Sequence, residues 1–119
     1  MKSLPAQAAL WGLVAAAVLC NAAAQVLIKR GAPAALLPVA QWLDPRLLAA
    51  VALYGMSFVL TALVYARLPL SLASPLMAGA VFVLVSLGAM WLLGETLGVL
   101  RVAGIVLIVA GMALLARDL

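Results

Sequence analysis

The chain reads as an all-α membrane protein with four transmembrane helices per protomer, functional as a dimer. Three observations carry the class. Of its 119 residues 70% are apolar and only 8% charged, against roughly 45–50% and about 25% in soluble domains. Mean hydropathy is +1.35, and a 12.2 kDa soluble domain has more surface than so few polar side chains can cover. The apolar residues also fall into four stretches close to the ~20 residues a helix needs to cross a bilayer at ~1.5 Å rise each. The same composition excludes a disordered chain.

The first helix runs from about Ala6 to Ile28. Ser3 suits its N-cap and Pro5 its first turn. Lys29 and Arg30 sit where cations complement a helix C-terminus, and Gly31 suits the C-cap. Ala22-Ala23-Ala24 resembles a leader-cleavage site, but the apolar run before it is too long and the preceding region carries only Lys2. A retained span is expected. The connection from Gly31 to Leu43 is the longest; Pro33 and Pro38 bar one straight helix there, and Trp42 suits the membrane interface. Asp44-Pro45 supplies a cap and a proline for the second helix, Arg46 to Ala66, and Pro69 opens the third, Leu70 to Leu93. The fourth runs from Leu97 to Ala116, with Glu95 and Thr96 placed to favour its N-terminus. The short second and third connections make consecutive helices antiparallel neighbours. One domain over residues 1–119 is expected, with no soluble unit.

Orientation is nearly unbiased. One face carries Lys2, Arg67 and Arg117, the other Lys29, Arg30, Arg46 and Arg101. Three cations against four is almost no signal under the positive-inside rule. Two readings stay open: a single orientation set by Lys29-Arg30, or dual insertion with antiparallel pairing.

The composition also bounds the chemistry. There is no histidine and only one cysteine, Cys20, so neither an intrachain disulfide nor a cysteine-based zinc site can form. No metal or other cofactor is called for. No acid, base, nucleophile and oxyanion set converges, so an enzyme is not expected. The scattered cations form no nucleic-acid patch.

The informative residues are the polar ones inside the spans. Asn21, Gln25 and Lys29 recur every four residues on helix one, which keeps them on one slowly drifting stripe. Amides in hydrocarbon are costly, so the stripe should face a wet cavity or other helices. Lining a cavity is the functional reading; a polar clasp between helices, at ~0.6 kcal/mol per bond, is the plain one. Asp44, Glu95 and Asp118 all lie at span ends, so no span buries a carboxylate. A proton-for-cation exchanger needs such a group. The charges available are cations, Lys29 foremost, which suit an anionic head group such as a lipid phosphate, although interfacial anchoring is their ordinary role.

Helix three opens with Ser71, Ser74 and Pro75, followed by Gly79. Pro75 and Gly79 fit either a hinge or a static bend filled by a neighbour. Gly104 and Gly111 share a face of helix four at a spacing that suits close helix pairing in lipid, preferably between subunits. Four helices leave almost no substrate path within one copy, so a second copy or a paralogue is needed to enclose one.

Taken together, Asn21 to Lys29, the turn Leu68-Pro69-Leu70-Ser71-Leu72-Ala73, Gly79, Gly94-Glu95 and Gly104 to Gly111 resemble the small multidrug resistance family of the drug/metabolite transporter superfamily over nearly the whole chain. The resemblance implies a four-helix protomer, dimerisation through the helix-four glycines and a cavity lined by helices one to three. Family exporters carry an essential glutamate eight residues before a lysine; here Asn21 holds that position before Lys29. The family's helix-three tyrosine falls on Ser74, and its tryptophan falls on Met77. The pattern is most similar to the flippase subunits of this type associated with aminoarabinose-modified lipid A. That implies transport of an undecaprenyl-phosphate-linked amino sugar across the bacterial inner membrane. Asn21, Gln25 and Ser74 would bind the head group, Lys29 would neutralise phosphate, and Pro75 and Gly79 would flex. The partners expected are this lipid-linked substrate, membrane lipid, and a second copy or paralogue. Two alternatives stand beside it: an exporter of small polar or cationic compounds that needs a paralogous partner, and a non-transporting accessory subunit of a glycosyltransferase.

Overall fold

The computed structural model describes residues 4–118, and among these it is helical without strands. The helices are α1 (Leu4–Gly31), α2 (Pro45–Tyr65), α3 (Leu70–Leu92) and α4 (Val99–Ala116), with a single 3-10 turn at Val39–Leu43. All four are long and apolar enough to cross a membrane, the pattern of a multi-pass membrane protein. At 28 residues α1 is longest; at ~1.5 Å per residue it exceeds a ~30 Å hydrocarbon core, which carries Lys29 and Arg30 to an interface.

Most helix ends follow local chemistry. The Asp44 carboxylate accepts from the Arg46 amide at 2.8 Å, with Pro45 in the first turn of α2. The Arg46 guanidinium closes on the same carboxylate at 2.9 Å. Pro69 starts α3 from extended backbone. Pro33 and Pro38 lie in the non-helical stretch before the 3-10 turn, where the Trp42 indole donates to the Leu36 carbonyl. The N-cap expected of Ser3 lies outside the described residues.

Three expectations at helix ends need correction. Gly31 is no left-handed cap, since among the described residues only Gly94 has positive φ. Gly31 is instead buried where α1 meets the start of α2; a Cβ there would stand 3.1 Å from that of Arg46 and 3.3 Å from Leu47 Cγ. The left-handed turn belongs to Gly94, at φ +68, where glycine pays no Cβ penalty. Across it the Glu95 amide donates to the Ala89 carbonyl at 3.1 Å, which already accepts from the Leu93 amide at the end of α3. Glu95 therefore completes α3, and α4 begins only at Val99, with Gly98 as its N-cap.

The core lies where the first three helices converge: Ala17 and Val18 from α1, Val64 from α2, and Ala73, Met77 and Val81 from α3. Alanine dominates the closest approaches, with Ala24 and Ala50 also buried on α1 and α2. Lipid offers no hydrophobic drive between helices, so small side chains that permit near contact are what hold such a bundle. By contrast α4 packs against α3 alone and buries none of its residues.

Candidate functional site

Six polar residues of the spans meet in one cavity between α1, α2 and α3, of about 210 Å³. Asn21 and Gln25 reach it from α1 and Ser74 from α3. Lys29 is not among the lining residues; it is exposed one turn beyond Gln25, toward the end of α1. Pro75 lies inside α3, which stays helical through it, and is exposed. Gly79 is buried against α4, where a Cβ would come within 2.7 Å of Met112 Cγ and Sδ. Gly104 and Gly111 have nothing within 4 Å of a built Cβ, so the glycine face of α4 is open.

The helix-two contribution escapes the expectations above. Ser57, Thr61 and Tyr65 line the cavity, again at every fourth residue. The spacing that singles out Asn21 and Gln25 is therefore repeated on the facing helix. Hydroxyls are ordinary in membrane helices, since they can bond the backbone of their own helix, so this stripe stands out less than a pair of amides.

The geometry divides the polar atoms into those used by the fold and those left for a ligand. Ser57 Oγ donates to the Ala17 carbonyl at 3.0 Å, tying α2 to α1 at the core. Gln25 Nε2 donates to Asn21 Oδ1 at 2.9 Å within α1. That bond fixes both amides and leaves the Asn21 NH₂ and the Gln25 carbonyl oxygen open. The hydroxyls of Thr61, Tyr65 and Ser74 make no hydrogen bond among the described residues. No described buried side-chain polar atom lacks a partner, which agrees with these groups facing open space.

No carboxylate, ammonium or guanidinium lines the cavity. Of the acids, Asp44 is held by Arg46, Glu95 lies in the α3–α4 connection, and Asp118 follows α4. The cavity is thus a set of neutral donors and acceptors beside Val18, Met77, Val81 and Phe82. Such a lining suits a hydroxylated, neutral or weakly charged group, by hydrogen bonds on polar edges and apolar contact on the faces between them. The described residues hold no cluster of three or more cysteine and carboxylate side chains that a metal would require. No protein-family model matches the chain, and no curated protein or solved structure does either.

Proposed function

We propose that the chain is a membrane flippase, moving a polyprenyl-phosphate-linked amino sugar across the bacterial inner membrane through a polar groove completed by a second protomer. The observation that carries this reading is the cavity between α1, α2 and α3, whose polar lining is uncharged. A sugar ring offers hydroxyls around its edge, which amides and hydroxyls can match. The prenyl tail never needs to leave lipid. At about 210 Å³ the cavity of one protomer falls below the ~300–1,000 Å³ of common ligand pockets. That size accords with a small head group such as a monosaccharide and with a groove widened by a second protomer. The likeness of Asn21, Lys29, Ser74 and the helix-four glycines to flippase subunits of the small multidrug resistance type supports the same reading.

The lining also bears on the alternatives. Proton-coupled exchange of cations needs a titratable acid beside the ligand, and Asn21 offers none. An accessory subunit that only scaffolds an enzyme has no use for a chamber of unbonded hydroxyls, which costs packing contacts.

The test is reconstitution of the full chain in vesicles loaded with a polyprenyl-phosphate amino sugar, its amine titrated from outside by an impermeant amine reagent. Transfer should be faster than in protein-free vesicles. Asn21→Ala should slow it about tenfold, the effect of one lost hydrogen bond to a polar or charged head group. Lys29→Ala should slow it through weaker phosphate capture at the interface. Transfer equal to protein-free vesicles, or unchanged by both substitutions, would sink the assignment.

A further inference from the structure

A second cavity lies on the opposite side of the α1–α3 seam from the polar one. It is an apolar groove of about 430 Å³ walled by Leu19, Val26 and Leu27 of α1 and Leu84 and Leu92 of α3, with Gly88 opening its floor. Arg30 stands at its end. From Leu19 to Arg30 the groove runs eleven residues, or ~16 Å at 1.5 Å rise, about half a ~30 Å hydrocarbon core and so the depth of one leaflet.

We propose that this groove holds one anionic phospholipid, its acyl chain between α1 and α3 and its phosphate on Arg30. The argument is charge and length together. One guanidinium N–H of Arg30 donates to the Leu92 carbonyl at 2.8 Å, which fixes the side chain across both walls of the groove. The other N–H groups remain exposed, and the only ion pair among the described residues is Arg46 with Asp44. A guanidinium held at the interface, with an apolar trough of one-leaflet depth running away from it, matches a phosphate followed by an acyl chain. Helix α4 of a second copy fits the trough less well. It carries no acid between Val99 and Ala116, so it could answer the Arg30 charge only through the flanking Glu95 or Asp118 and not from within the trough. The site does not depend on what passes through the polar cavity.

The experiment is native mass spectrometry of the purified full chain, titrated with phosphatidylglycerol or phosphatidylcholine of the same acyl composition. The wild type should retain one phosphatidylglycerol with about tenfold preference, because the choline cation of phosphatidylcholine offsets the attraction of its phosphate to Arg30. Arg30→Gln should bring the preference close to unity, and Arg30→Lys should restore part of it. Ala23→Phe, placed in the groove at an exposed position, should lower retention of both lipids while leaving the charge preference intact. Equal retention of the two lipids by wild type, or an Arg30→Gln protein that still discriminates, would overturn the proposal. So would efficient disulfide dimerisation of a Leu27→Cys, Cys20→Ser chain in bilayers, because the groove would then hold a second copy.

Discussion

Single atoms decide which polar groups serve the fold. Ser57 is 3% exposed and its hydroxyl bridges α2 to the Ala17 carbonyl of α1. Ser57→Ala removes that bridge and leaves the carbonyl its helical bond, so the loss should be small: ~0.6 kcal/mol, the mean for interhelical bonds in membranes, and at most ~1.7. Unfolding in mixed micelles by denaturing detergent measures it; a loss well above that range would mean that the hydroxyl also organises the cavity. Asp44 is the residue with a pH signature. The Arg46 guanidinium, hydrogen-bonded to it, holds its carboxyl below the ordinary 3.8. A folded value below the unfolded one means that this contribution is present above the unfolded pKa and fades as pH falls through the folded one. Asp44→Asn keeps an oxygen for the Arg46 amide but abolishes the titration. Thermal unfolding followed between about pH 3 and 6 should therefore show a shallower acid-side decline in the variant, by a small margin because the pair is solvent-exposed.

At the scale of elements, the telling contact is that of α3 with α4. Gly79 leaves the space that Met112 fills, with Ile108 beside it at 3.3 Å from a built Cβ. Gly79→Ala forces the methionine to move, and its flexible thioether makes this a modest cost, whereas Gly79→Leu should lever α4 away from α3. Met112→Ala vacates the same space. The double variant Gly79→Ala, Met112→Ala should then be more stable than the sum of the single effects predicts, by about 0.5 kcal/mol or more, and additive values would contradict the contact. This pair also marks what a linear reading sees and what it misses. The spans, Asp44-Pro45, Pro69 and the amide stripe follow from spacing and capping chemistry, which act within a few residues. That Gly79 receives Met112, that Gly31 receives the start of α2, and that Gly94 rather than Gly31 takes positive φ depend on residues distant in sequence or on how the backbone closes. A glycine announces that something happens there without saying what. Ser57, Thr61 and Tyr65 were open to detection by the four-residue spacing. That they share a cavity with Asn21 and Ser74 emerges only when α2 turns that face toward α1 and α3.

The whole molecule has an unfinished side. One face of α4 reaches α3 through Ile108 and Met112, while Leu100, Leu107 and Leu114 are each more than 70% exposed. Gly104 and Gly111 also face open space. In a membrane such leucines can simply meet lipid, so exposure alone argues for nothing. Two glycines are different: in a span that packs only against α3 they sacrifice helix propensity without relieving any contact within the chain. A helix brought against that face would gain close backbone approach, the interaction that holds spans together where apolar burial contributes little. Pairing through α4 leaves the polar cavity, which α1, α2 and α3 line, free to be completed from the other side. Gly104→Leu with Gly111→Leu should accordingly leave each protomer folded and convert dimers to monomers, read by single-molecule photobleaching in bilayers. Transfer of the lipid-linked sugar should fall with the dimer fraction. A monomeric wild type would overturn the pairing, a double variant that still dimerises would place the partner's contact elsewhere, and monomers that transport at full rate would show that one 210 Å³ cavity is enough.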